Sequence, residues 1–178
     1  MFFDKNNAVI VGVVASICHE CGHLIAMHFC KEVCTDVKIG LGRVDILKDN
    51  KLVQYSLKKE VFVLLNGPAF NFFAAGISVF CKHFLCEFGV YKLFLAANIA
   101  MGVVNLLPVY FLDGGQILYL VLDNFYSEEF AKGILNMTSI VFLVILSICA
   151  IIFIYMSGYN FSLLALVIYL VLYYFFKR

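Results

Sequence analysis

The stretch Cys18-His19-Glu20-Cys21-Gly22-His23 lies in the middle of an apolar segment that runs from Ala8 to Cys30. At 1.5 Å per residue, a helix over that segment is long enough to cross a hydrocarbon core of about 30 Å, so a membrane span is expected. Ionisable groups near a bilayer centre cost kilocalories and mark functional sites. Residues four apart share a helix face, which lets His19 and His23 reach for the same atom. Glu20 falls roughly 60° beyond His23 at about 100° per residue, inside one arc with them. Two imidazoles and a neighbouring carboxylate point to a catalytic zinc centre. Such centres use three protein ligands and a water, and Glu20 is placed to act as base on that water.

Working outward, the chain has 178 residues, 63% hydrophobic and 14% charged, with a mean hydropathy of +0.96. A soluble domain of this size needs far more polar surface, which leaves an all-α polytopic membrane protein of one domain, residues 1–178. The net charge of +1 and the lack of a basic cluster give no support to nucleic-acid binding. Tryptophan is absent, so Phe and Tyr must supply interfacial anchors. Seven cysteines, an odd number, several within apolar runs, argue against a secreted disulfide framework. Cys18 and Cys21 bracket His19 as a redox pair, extra ligands or small packing residues; packing is the favoured reading. The segment before Cys18 reads as part of an uncleaved span, because the apolar run continues to Cys30.

About five spans are expected. The first is Ala8 to Cys30. Lys31 to Lys59 then carries seven basic and four acidic side chains, with apolar alternation around Val37-Lys38-Ile39 and Val44-Asp45-Ile46. Lys48-Asp49-Asn50-Lys51 reads as a turn, giving a short β-hairpin-like loop at the membrane surface. Its edge offers a place for strand addition by an extended peptide. Span two runs from Val61 to about Cys81 and holds Asn66-Gly67-Pro68-Ala69-Phe70-Asn71; an Asn here either joins helices or serves a site.

A link from Lys82 to Gly89 leads to an interrupted apolar run from Tyr91 to Leu122. Asn98, Asn105, Pro108 and Asp113-Gly114-Gly115 break it, and a helix broken near Pro108 is expected, with Asp113 on an irregular segment. A buried carboxylate needs a cation, and a metal held by His19 and His23 would supply one. Asp123 to Lys132 reads as a polar loop. Ile134 to Ser157 and Asn160 to Phe176 read as packing helices around a core of residues 8–122. His28 and His83 read as interfacial.

Five crossings place ten of the thirteen Lys and Arg on the side of the Lys31–Lys59 loop and the chain's end. The excess of positive charge puts that side in the cytoplasm.

Three motifs occur in order: His19-Glu20-x-x-His23, Gly67-Pro68-x-x-Asn71, and Asn105-Leu106-Leu107-Pro108-x-x-x-x-Asp113-Gly114. Together they resemble the site-2 protease family, the zinc intramembrane metalloproteases. By size and layout the resemblance is closest to the stage IV sporulation proteases, which process a sigma-factor precursor. It covers Ile10 to about Leu120, and the ordered trio is specific where any one motif is not. The resemblance implies a three-helix catalytic core, with His19, His23 and Asp113 as ligands of one Zn2+ and Glu20 as general base. It implies a substrate or transition-state contact at Asn71. It also implies a membrane-anchored protein substrate, cut within or near its transmembrane segment, and regulated intramembrane proteolysis with a regulatory membrane protein as a further partner. Phe111 departs from the proline that many members have two residues before the aspartate. A PDZ or CBS domain is not expected in this length. The rival from another class is a metal transporter or a non-catalytic metal-binding scaffold. A transporter more often shows repeated halves, and no second copy of either motif is present.

Overall fold

In the computed structural model, residues 8–30, 37–40, 43–46, 57–80, 88–157 and 162–177 are described. Six helices account for most of them: α1 (Ala8–Phe29), α2 (Leu57–Phe80), α3 (Phe88–Asn105), α4 (Asp113–Phe125), α5 (Glu128–Ser157) and α6 (Ser162–Lys177). Between α1 and α2, β1 (Val37–Gly40) and β2 (Arg43–Ile46) pair antiparallel, with Val37 opposite Ile46 and Gly40 opposite Arg43. The expected turn at Lys48-Asp49-Asn50-Lys51, the link with His83 and the turn after Ser157 lie outside the described residues.

Among the described residues, three helices are long and apolar enough to cross a membrane: Val9–Phe29, Leu57–Phe80 and Glu128–Ile152. The apolar stretches Tyr91–Asn105 and Leu164–Phe176 are shorter. Bulky apolar side chains such as Val9, Ile10, Phe29, Phe73, Phe80 and Ile151 stand exposed on these helices. Water would not tolerate so much contiguous apolar surface, and lipid does. The protein is a membrane protein.

The contacts fall into two compact units, Met1–Leu106 and Leu107–Arg178. In the first, α1 packs on α2 and α3, and α2 packs on α3. Ala26, Met27 and Val63 form a buried cluster, with Cys30 packed against it. Ala15 and Ala75 are also buried. Small residues at these seams let helix backbones approach where no hydrophobic force drives them together. Cys30 packs apolar side chains, and Cys18 and Cys21 form no disulfide.

The second unit begins in the break that Pro108 causes. α3 stops at Asn105, whose amide donates to the Met101 carbonyl at 3.1 Å, and the chain runs irregularly to Leu112. Two tight turns shape this segment: Val109 N–H to Leu107 O at 2.8 Å, and Leu112 N–H to Val109 O at 2.9 Å. Gly115 is needed beneath it, because a Cβ there would fall on the Val109 carbonyl. Asp113 is therefore not on the irregular segment, as the sequence suggested, but opens α4, with Leu112 as the N-cap.

The expected polar loop from Asp123 to Lys132 is mostly helix. α4 continues to Phe125, and α5 begins at Glu128. Ser127 caps α5, accepting from Phe130 N–H at 3.4 Å. Glu128 and Glu129 occupy the first turn, where the helix dipole favours acidic groups. Glu128 also pairs with Lys132 one turn on.

α5 holds the irregular segment through Ser139. This fully buried hydroxyl accepts from Tyr110 N–H at 2.8 Å and donates to Leu135 O at 2.6 Å. Ser139→Ala leaves that backbone N–H without its acceptor. A loss of about 1–3 kcal/mol is expected, read as a lower midpoint of thermal unfolding in detergent. An unchanged midpoint would show that Ser139 does not anchor the segment.

Candidate metal centre

The centre starts from α1, which sets His19 and His23 one turn apart on its buried face, at 7% and 8% exposure. Their rings are nearly perpendicular, at 86°, with centroids 4.7 Å apart. His19 Nδ1 lies 2.9 Å from Asn71 Oδ1, and His23 Nδ1 lies 2.9 Å from the Val63 carbonyl oxygen. Neither oxygen carries a hydrogen, so in both rings Nδ1 carries the donated proton.

The outer nitrogens then face each other. His19 Nε2 and His23 Nε2 are 3.1 Å apart. With Nδ1 donating, a neutral ring presents a lone pair at Nε2, and two facing lone pairs are relieved by a shared proton, by a slight separation of the rings, or by a metal ion between them. Two nitrogens bound tetrahedrally to zinc at 2.0–2.1 Å are roughly 3.3 Å apart. The pair fits a metal ion. Metal-ligating histidines are commonly held in this way, by a second N–H donated to a carbonyl or similar acceptor.

Gly67 makes the space. A Cβ at that position on α2 would fall on His23 Nε2 and lie 2.8 Å from His19 Cε1. Pro68 follows it inside the helix and is fully buried. With no N–H, Pro68 removes one backbone bond of α2.

Asn71 is wholly buried and fully engaged. Its Oδ1 accepts from His19, and its Nδ2 donates to Ala15 O at 2.9 Å and to Asn98 Oδ1 at 3.0 Å. Both amide hydrogens are used, so a contact to a reacting oxygen would require one of these bonds to open. In this arrangement Asn71 orients His19.

Glu20 is exposed on α1, next in sequence to the buried His19. Asp113 is buried at the start of α4 in the second unit, where the N-terminal dipole favours a carboxylate. His28 is exposed near the end of α1. Sequence reasoning missed Asn98, the Val63 carbonyl and the space at Gly67. Asn98 was legible only as a polar interruption in an apolar run. The carbonyl carried no signal at all.

Residues 86–146 match the model of peptidase family M50, a family of membrane metalloproteases. The match covers about a third of the chain: α3, the break, α4 and the first part of α5, with Asn98, Asn105 and Asp113. It does not include α1, so the His19-Glu20-x-x-His23 pattern is a separate signal from a separate stretch. No curated protein matched the chain.

Proposed function

We propose that this protein is a zinc-dependent intramembrane endopeptidase of the site-2 type, cleaving a membrane-anchored protein within or near its transmembrane segment. One observation carries the reading: in the apolar α1–α2 pair, two buried imidazoles each donate from Nδ1 and turn Nε2 atoms toward each other at 3.1 Å. The M50 match in a different stretch supports the same class of chemistry.

In this reading His19 and His23 are two of the ligands. Asp113, in the motif shared with site-2 proteases, is the third. Zinc held by these residues would supply Lewis acidity and make a neighbouring water more acidic. Glu20, adjacent to a ligand and not itself one, takes a proton from the attacking water and returns it to the leaving amine. Asn71 holds His19 in position. The apolar flanks of α1 and α2 keep bulk water away from the buried His19, His23 and Asn71, which strengthens their electrostatic action.

The chain is placed with five crossings, α3 and α6 among them, and with the Lys31–Lys59 loop and the end of α6 in the cytoplasm. The substrate fitting this setting is a membrane-bound precursor, such as that of a regulatory factor.

The testing experiment is the zinc content of detergent-purified protein beside its Asp113→Ala variant. About one zinc per chain in the wild type, lost or strongly weakened in the variant, is expected. A folded wild type that takes up no added zinc would remove this function. Full zinc affinity in the variant would remove Asp113 from the ligand set.

A further inference from the structure

Three helices contribute to the surroundings of His19, and the least obvious contributor is α3. Asn98 is wholly buried there. Its Nδ2 donates to the Phe94 carbonyl one turn back, at 3.0 Å. That carbonyl can only accept, which fixes the direction of the Asn98 amide and turns its Oδ1 toward Asn71. The Ala15 carbonyl of α1 is the second pure acceptor in the group. Between them, Asn98 Oδ1 and Ala15 O claim both hydrogens of Asn71 Nδ2. The Asn71 oxygen is left facing His19, and His19 must donate to it from Nδ1.

We infer that Asn98 is a positioning residue which, through Asn71, selects the Nδ1–H tautomer of His19 and so presents its Nε2 lone pair to the metal. The inference rests on the proposed metal site for its purpose. Its geometry is independent of that reading.

The chain of direction matters because an amide can flip. Asn98 Oδ1 and Ala15 O both oppose a flip of Asn71; without Asn98 only the Ala15 carbonyl does, and the turned amide, though it sets Oδ1 against that carbonyl, places its NH2 group against His19. The ring would then accept at Nδ1 and carry its proton on Nε2, where a metal ligand needs a lone pair. An ordinary interhelical hydrogen bond does not have this consequence. It would stabilise the α2–α3 contact and leave the tautomer unchanged.

The test uses full-length protein with ¹⁵N-labelled histidine in lipid nanodiscs, stripped of metal and held at mildly alkaline pH so that the imidazoles are neutral. In the wild type, two buried histidines are expected as the Nδ1–H tautomer. Asn98→Leu is expected to move one of them, His19, to the Nε2–H form. His23, held by the Val63 carbonyl, stays as it was. Zinc added to the same samples should bind the variant about 10- to 100-fold more weakly. Asn98→Asp should restore both readouts, since a carboxyl oxygen accepts from Asn71 in either protonation state. Should the leucine variant fail to fold, Asn98→Ala removes the same acceptor without added bulk.

A His19 tautomer unchanged in the folded leucine or alanine variant would overturn the inference and leave Asn98 as a helix-joining residue. A tautomer shift that Asn98→Asp fails to reverse would overturn it too. If the tautomers respond as expected but no variant, nor the wild type, binds zinc, the metal reading fails while the positioning role stands.

Discussion

Glu20→Gln is expected to retain zinc and lose cleavage. The substitution keeps the size and polarity of the side chain and removes its capacity to accept a proton. A positioned general base contributes about 10²- to 10⁴-fold, so turnover of a reporter with one transmembrane helix should fall at least that far in proteoliposomes. Glu20 is exposed, and substitution at such a position usually changes stability by less than about 0.5 kcal/mol. Metal content and thermal midpoint should therefore match the wild type while activity disappears. Retained turnover, with one zinc bound, would show that another group handles the proton. Lost zinc would instead make Glu20 a ligand.

Gly67→Ala should do the reverse, leaving the helix intact and emptying the site. Alanine is favoured over glycine in a helix interior by about 0.8–1 kcal/mol. Against this stands overpacking, which costs about 1–3 kcal/mol when neighbours must move. The nearest atoms to the new methyl group are the imidazoles of His23 and His19, both on the rigid body of α1. The two terms offset in part, leaving a net cost of about 0–2 kcal/mol, and the displacement falls on the two imidazoles. Zinc affinity is expected to drop by about 100-fold or more, beyond the cost of losing one outer hydrogen bond. The thermal midpoint of the metal-free protein should move by only a few degrees. A normal affinity would mean that α1 and α2 can separate without affecting the centre.

These two variants draw on different kinds of information. The shared face of His19 and His23 was legible in the sequence because helical spacing is local, and Glu20 was chosen from the same local pattern, next to His19. The extent of α1, Ala8–Phe29, was legible for a similar reason, since the length of an apolar run sets a crossing. So was the interruption at Pro108, which follows from one missing N–H and a steric clash. Polar clusters misled where they belonged to helix ends. Glu128, Glu129 and Lys132 lower the hydropathy around them, yet they suit the first turns of α5. Asp113 likewise opens a helix instead of standing in a loop.

By itself, then, the sequence determined a helical membrane protein with two histidines on one face of its first span, because hydropathy and helical period act over neighbouring residues. Only the tertiary structure decided what surrounds them. Gly67 clears the room, the Val63 carbonyl fixes His23, and Asn71 with Asn98 fixes His19. Those roles depend on the register in which α1, α2 and α3 pack. Register is set by many small contacts between distant segments, and no single residue type announces it.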